Sequence, residues 1–352
     1  MSAPEPTPDP PTPHKRRPRY KGKNPRRFED KYKELNPALH AETIAKVRAS
    51  GKTPAGQHVP IMVHEILEAL TPQPGERVVD CTLGYGGHAT ELLRAVQPGG
   101  CLLGLDQDPI EIAKTEPRLR ALGFPQETLI VRRTNFAGLL RVLADVGWAD
   151  GADAILADLG VSSMQIDNPA RGFSFKHDGP LDMRMNPQKG QPASVLLQKL
   201  SEPELSDILT ENADEPRAKL LAHALCGRPF ATTSELARAV RQALPASHTE
   251  EQKQDTARRV FQALRIAVNE EFTVLDTWLR TLPQGLRPGG RVAVLTFHSG
   301  EDRRVKKAFR AGLQEGVYSE ISDEVLRPSP VELRDNPRAA PAKMRWAIKC
   351  EK

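Results

Sequence analysis

Apolar residues recur with two different periods along this chain. Short, nearly continuous apolar runs predict strands over about Arg77–Cys81, Cys101–Asp106, Thr128–Arg132 and Ala152–Asp158. Between them, three-and-four spacing predicts helices over about Ala89–Val96, Pro109–Ala121 and Ala137–Val146. Strands alternating with helices build a parallel sheet covered on both faces. The alternation stops near Asn168. From there to Thr256 the pattern reads as loop and then helices, with starts at Ser201-Glu202-Pro203-Glu204-Leu205 and Thr233-Ser234-Glu235-Leu236. One long helix then carries Phe261, Leu264, Val268, Phe272, Leu275 and Leu279 on a single stripe. A Pro288–Gly290 turn leads into a strand over Arg291–Phe297, and Met344–Cys350 reads as a last strand. The expected organisation is a sheet core formed by 57–167 and 257–352, interrupted by an inserted helical domain at 168–256 and preceded by a tail and linker at 1–56.

The first strand, Val78-Val79-Asp80, runs into the glycine turn Gly84-Tyr85-Gly86-Gly87-His88, and the second ends on Asp106. In a doubly wound sheet such a turn brings backbone close to a nucleoside cofactor, and the acid accepts hydrogen bonds from ribose hydroxyls. An adenosine-containing cofactor is therefore expected. Gly84-x-Gly86-Gly87-x-Ala89 matches the dinucleotide fingerprint only loosely, so a nicotinamide-dependent oxidoreductase remains open at this point. Two features favour S-adenosylmethionine. Asp80 stands where class I methyltransferases commonly carry an acid that meets the cofactor's amino group. The fourth strand ends in Ala157-Asp158-Leu159-Gly160-Val161-Ser162-Ser163, an acid followed by small residues, as in enzymes that methylate amino groups.

Charge is unevenly spread. Residues 1–33 hold ten Lys/Arg against four Asp/Glu, a net +6, while the whole chain is +5, so the remainder nets about −1. Six prolines precede a basic run at His14–Lys33 that interleaves Tyr20, Phe28 and Tyr32. Such a segment lacks the apolar surface to fold alone. It suits RNA phosphates and stacked bases, or is simply a solvated tail. No apolar run approaches the ~18 residues of a membrane span. Cys81, Cys101, Cys226 and Cys350 are scattered, which suits a reducing, cytoplasmic setting without structural metal.

Longer motifs sharpen the picture. Asp158–Asp167 (Asp-Leu-Gly-Val-Ser-Ser-Met-Gln-Ile-Asp), Arg171–Met185, Phe261–Glu271, Phe297-His298-Ser299-Gly300-Glu301-Asp302-Arg303 and Asn336-Pro337-Arg338-Ala339 occur in order. With His58-Val59-Pro60 and Gly86-Gly87-His88, they closely resemble the ribosomal RNA small-subunit methyltransferase H family over roughly residues 57–350. The resemblance implies an α/β fold, a class I (Rossmann-like) S-adenosylmethionine-dependent methyltransferase sheet with a helical insert. It implies methylation of N4 of a cytidine in 16S rRNA, with the small ribosomal subunit as partner, no membrane, and a homodimer left open. The cofactor residues it implies are Gly86, Gly87, His88, Asp106, Phe136, Asp158 and Gln165. The basic tail lies outside it. Met164, Gly300, Asn212–Glu215 and Gln254–Arg259 depart from the family pattern, which bears on the insert and on RNA contacts. A DNA amino-methyltransferase would carry Pro-Pro-Tyr/Phe after the fourth-strand acid, where this chain has Leu-Gly-Val. A non-catalytic assembly factor would not need Asp106 and Asp158 intact.

A cytosine amine is a poor nucleophile because its lone pair is conjugated with the ring. An acceptor aimed at an N4–H would take up developing positive charge, and Asp158 is the candidate, with Ser162, Ser163 or a backbone carbonyl as helper. The plainer reading is that Asp158 only bonds cofactor or turn backbone. His88, at a helix start, reads as a cofactor contact. His298, Arg303, Lys306 and Lys307 are candidates for RNA, and Phe173 and Phe175 for stacking an extruded base or for packing the insert. Asp178 and Asp182 lack the surrounding ligands of a metal site.

Overall fold

The computed structural model describes residues 60–351. The chain divides into two units, Met1–Gln57 and His58–Lys352, and the account below concerns the second. The basic tail, the Pro37–Ser50 stretch, His58 and Val59 lie outside the described residues.

Seven strands form one sheet: β1 (Arg77–Asp80), β2 (Cys101–Asp106), β3 (Leu129–Arg133), β4 (Ala152–Asp158), β5 (Leu286–Thr296), β6 (Tyr318–Ile321) and β7 (Lys343–Lys349). Their order is β3-β2-β1-β4-β5-β7-β6. The first five are mutually parallel, and β7 runs antiparallel to both β5 and β6. This is the Rossmann-like sheet of class I methyltransferases. The chain order reverses between β1 and β4, so the crevice beyond their carboxyl ends is where a ligand binds.

The side chains explain why the sheet is buried on both faces. Val78, Leu102, Ala154 and Leu156 face one apolar layer with Ile66, Leu70, Leu92 and Leu93. Their neighbours Val79, Leu103, Ile155 and Ala157 face another with Leu275, Trp278, Leu282 and Phe309. Successive strand residues point to opposite faces, so nearly every position in these strands must be apolar. β5 begins earlier than its apolar run suggests. Leu286 pairs with Ala152 and Arg291 with Ala154, so the Pro-Gly-Gly segment bulges out between two paired stretches. β6 was not foreseen: Tyr-Ser-Glu-Ile is too short and too polar to stand out, and it is defined by pairing with β7.

A third core is purely helical. Phe173, Leu181, Leu205, Leu209, Leu221, Leu236, Val240, Val260, Phe261 and Leu264 pack together, apart from either face of the sheet. Both expected helix starts are present with reciprocal caps, Ser201 with Glu204 and Thr232 with Glu235. The single long helix is not. The stripe belongs to two helices, α10 (Glu250–Asn269) and α11 (Glu271–Gly285), numbering every α-helix in chain order from α1 (Val63–Leu70). Glu270 sits between them in the left-handed region at φ 51. Phe261 and Leu264 pack in the helical core, whereas Leu275 and Leu279 pack under the sheet. A one-residue joint turns the axis and leaves the apolar spacing unbroken, so periodicity alone does not reveal it. α10 runs straight through position 256/257, where the insert was expected to end.

Asn269, the last residue of α10, ties the helical part to its own beginning. Its side chain accepts from Met185 N at 2.7 Å and donates to Met183 O at 2.8 Å.

Candidate functional site

Two clefts open at the carboxyl ends of the strands and share one wall. The first, about 780 Å³, is lined by Gly84, Asp106, Phe136, Asp158, Gln165 and, from the far helices, Asn269, Glu271 and Glu301. The second, about 1630 Å³, is lined by Gly86, Gly87, His88, Ser162 and Ser163, together with Lys176, Arg258, Arg265 and Arg338. Thr82, Gly84, Asp158, Leu159 and Gly160 belong to both. Asp158 is the only ionisable side chain among these five shared residues.

In the first cleft the β2 tip is built as a rigid acceptor. Asp106 Oδ2 accepts from Gly84 N at 2.7 Å and Oδ1 from Asp108 N at 2.8 Å. Gly84 has φ 45, which turns its N–H toward this carboxylate. Burial pushes Asp106 up to about 6, against the two backbone donors that lower it. Each oxygen keeps a further lone pair for a diol. Phe136, in the turn after β3, stands edge-on to Trp278 at 5.6 Å and presents a flat apolar wall. Gln165 Nε2 donates to Asp108 Oδ2 at 2.7 Å, and its Oε1 accepts from Ser162 N at 2.8 Å. Asp108 also receives Arg171 Nη1 at 2.8 Å in a buried ion pair. Arg171 donates in turn to the carbonyls of Arg184 and Met185, so the start of the helical part is stapled to the floor of the cleft.

Asp158 stands at the shared wall. Its Oδ1 is buried and has no hydrogen-bond partner among the described residues, while the side chain as a whole keeps 28% of its surface open. Its backbone N–H donates to Thr82 Oγ1 at 2.7 Å. Burial, and then the negative charge of Glu301, push Asp158 up to about 7. A buried acceptor left unmatched in a protein interior is costly, and a cationic or N–H ligand relieves it.

The expected cofactor residues are therefore divided between the clefts. Asp106, Phe136, Asp158 and Gln165 line the first. Gly86, Gly87 and His88 line the second. Gly86 has φ 78, and a Cβ there would lie 2.8 Å from Thr115 Cγ2, so the glycine serves helix packing. His88 is nearly buried. Its Nε2 bonds Ile61 O at 2.8 Å and its Nδ1 lies 3.5 Å from Asp158 Oδ2. Burial lowers its pKa, which favours the neutral ring. Ser162 Oγ accepts from Gln165 N at 3.2 Å as a helix cap, which occupies the proposed helper, while Ser163 faces the second cleft. Asp80, expected beside the cofactor's amino group, is 1% exposed under the turn and lines neither cleft.

Other candidates take structural places. Phe173 lies in the helical core, and Phe175 packs against it and edge-on to Phe261 at 5.0 Å. His298 packs at a tilt against Phe272, ring centres 5.7 Å apart, and sits 3.2 Å from Glu301. Arg303 pairs with Asp214. Asp182 grips Arg184, and Asp178 accepts from Ser234 N. Lys306 and Lys307 line neither cleft. Sequence reasoning missed Asn269 and Glu271, which reach the first cleft from the junction of α10 and α11, and Glu301, which reaches it from the helix that follows β5. Glu271, His298 and Glu301 bring three donor atoms within 4.8 Å. Both Glu271 oxygens, however, are held by Arg265 at 2.8 Å, and Glu301 Oε2 accepts from Phe297 N, so the group reads as an ion-pair cluster.

Asp106 and Asp158 thus stand at the tips of β2 and β4, on either side of β1. The profile of the MraW methylase family aligns with residues 55–350. The chain belongs to the MraW methylase family. Its relatives include ribosomal RNA small subunit methyltransferase H 1 of Lachnoclostridium phytofermentans, 51% identical over 344 residues, 96% of this chain and 93% of that one. The enzyme of the same name from Agathobacter rectalis is 49% identical over 346 residues, 96% and 98% of the two chains. Ribosomal RNA small subunit methyltransferase H of Acidobacterium capsulatum is 42% identical over 298 residues, 83% and 98%. Family membership removes the oxidoreductase alternative. The family profile begins at residue 55, and the two alignments over 96% of this chain also extend into residues 1–33.

Proposed function

We propose that this protein transfers a methyl group from S-adenosylmethionine to N4 of a cytidine in the 16S rRNA of the small ribosomal subunit, in the cytoplasm. The observation that carries the reading is Asp158 at the wall shared by an acidic cleft and a basic one. The residues of the first cleft suit the cofactor: Asp106 offers two fixed acceptors to a ribose diol, Phe136 an apolar wall, and the unpartnered Asp158 Oδ1 a site for positive charge. When bound, the cofactor supplies a methyl group on a sulfonium that is its own leaving group.

The protein's part is to position, desolvate and move one proton. Lys176, Arg258, Arg265 and Arg338 give the second cleft a positive lining for phosphates. A cytidine extruded into it meets Asp158 on the strand tip. Asp158 accepts the hydrogen bond from an N4–H, holds charge as the C–N bond forms and the C–S bond breaks, and ends with the proton. General-base assistance of this kind is worth about 10²–10⁴-fold. The names of the relatives support an rRNA substrate, and the cytosine N4 position rests on the motif resemblance and on an acid placed to accept from an amine.

Methyl-labelled cofactor incubated with small subunits or 16S rRNA, followed by nucleoside analysis, tests the reading. Label is expected in N4-methylcytidine. Label in another nucleoside, or none, overturns it.

A further inference from the structure

Among the described residues the first cleft is lined by four carboxylates, Asp106, Asp158, Glu271 and Glu301, and by no lysine, arginine or histidine. A methyl donor and its spent product differ there in one respect above all: the donor carries a sulfonium charge, and the product a neutral thioether. The amino acid ends of the two are alike. Because methyl transfer has to cross the shared wall, that charge comes to lie beside Asp158 and not at the Asp106 end.

We propose that Asp158 makes this cleft selective for charge, releasing a proton when the sulfonium donor enters and keeping it when the thioether product is bound. The inference rests on the reading that the cleft holds S-adenosylmethionine.

The surroundings of Asp158 decide where its proton rests. Oδ1 is buried without a partner, so an isolated negative charge is poorly solvated there. Oδ2 faces His88 Nδ1 at 3.5 Å, and the His88 proton is held on Nε2 by the Ile61 carbonyl at 2.8 Å. A lone pair therefore faces Oδ2, a disposition that favours the protonated carboxyl. Glu301, reaching in from α12 (Ser299–Gln314), adds negative charge, as does buried Asp80 behind the turn. Glu271 is neutralised by Arg265. Burial and these charges together push Asp158 up to about 7, well above the usual carboxylate range.

A sulfonium reverses that balance, and the thioether does not. The sign follows. Below about pH 7, donor binding has to expel a proton, so donor affinity falls as pH falls, by up to about tenfold per unit. Product affinity lacks this dependence. Asp106, raised to about 6, faces the ribose common to both ligands and moves both affinities together, so it cancels in their ratio. Above neutrality the enzyme prefers donor over product; in acid the preference erodes and product holds the site.

Calorimetric titration of the full chain with S-adenosylmethionine and with S-adenosylhomocysteine, between about pH 5.5 and 8.5 in buffers of different ionisation enthalpy, tests this. The ratio of product Kd to donor Kd is expected to rise about tenfold per unit up to pH 7 and then level, with extra proton release for the donor alone. In Asp158→Asn the ratio should be independent of pH. In Glu301→Gln, which keeps an oxygen for Phe297 N, the levelling point should move to lower pH. A pH-independent ratio in the wild type, with both ligands bound, overturns the proposal and leaves the cofactor reading standing. A pH-dependent ratio surviving in Asp158→Asn overturns it too. Failure of both ligands to bind removes the cofactor reading itself.

Discussion

The two clefts share one wall, at which Asp158 stands, and differ in sign. One side presents Asp106, Asp158, Glu271 and Glu301; the other presents Lys176, Arg258, Arg265 and Arg338, with Asp158 as its one carboxylate among the described residues. A cationic small molecule and a polyanion are drawn to opposite sides of the same strand tip. The division also explains why Arg265 is half-buried on the border: it lines the basic side and grips Glu271 of the acidic side with both nitrogens.

The comparison breaks hardest at the border. Asp158→Asn keeps the shape and removes the charge, so single-turnover methyl transfer should fall by about 10²–10⁴-fold while affinity for S-adenosylhomocysteine changes far less. Near-normal transfer would reduce Asp158 to a structural role. On the acidic side, Asp106→Ala should weaken the cofactor by roughly 1.5–3 kcal/mol, read by calorimetry, and leave RNA affinity alone. Unchanged cofactor affinity would mean that the β2 tip is not the ribose acceptor.

The basic side is tested by salt. Removing residues 1–33 should leave cofactor binding intact and flatten the salt dependence of RNA affinity, because fewer counterions are released. Identical slopes for full-length and shortened protein would confine phosphate contacts to the remainder. The smallest effect is expected from Lys176→Ala with Arg258→Ala. Each lost phosphate contact should lower the slope by about 0.7–0.9 without altering base choice or cofactor affinity. A change in cofactor affinity would show that the two sides are not separate.

Sequence exposed one half of this comparison far better than the other. Asp106 and Asp158 close apolar runs, and a carboxylate at the end of a buried strand is conspicuous. Gly84 was visible as part of the turn, yet its role facing the first cleft, and that of Gly86 in packing, emerge only from their φ angles and neighbours. Glu271 and Glu301 were hidden because each lies more than a hundred residues from Asp158, on helices whose polar positions look like any solvated face. The Glu270 joint was hidden for a different reason. Apolar spacing records which side of a helix is buried, and both helices bury the same side against different cores. The hold on His88 was not legible either, because the Ile61 carbonyl that bonds its ring comes from the segment before β1.

The Asn269 clamp also has a meaning in chain entropy. By fastening Met185 to a residue 84 positions further on, it closes the helical part into a loop whose neck abuts the first cleft, since Met185 and Asn269 both line it. The closure cost of such a loop grows only with the logarithm of its length, about 0.6 kcal/mol per doubling. Residues can be gained or lost inside the loop with little consequence for the acidic cleft. The runs that depart from the family pattern, Asn212–Glu215 and Gln254–Arg259, both fall inside it. Variation is thus absorbed between the two ends of the neck, and the neck itself is where a single amide matters.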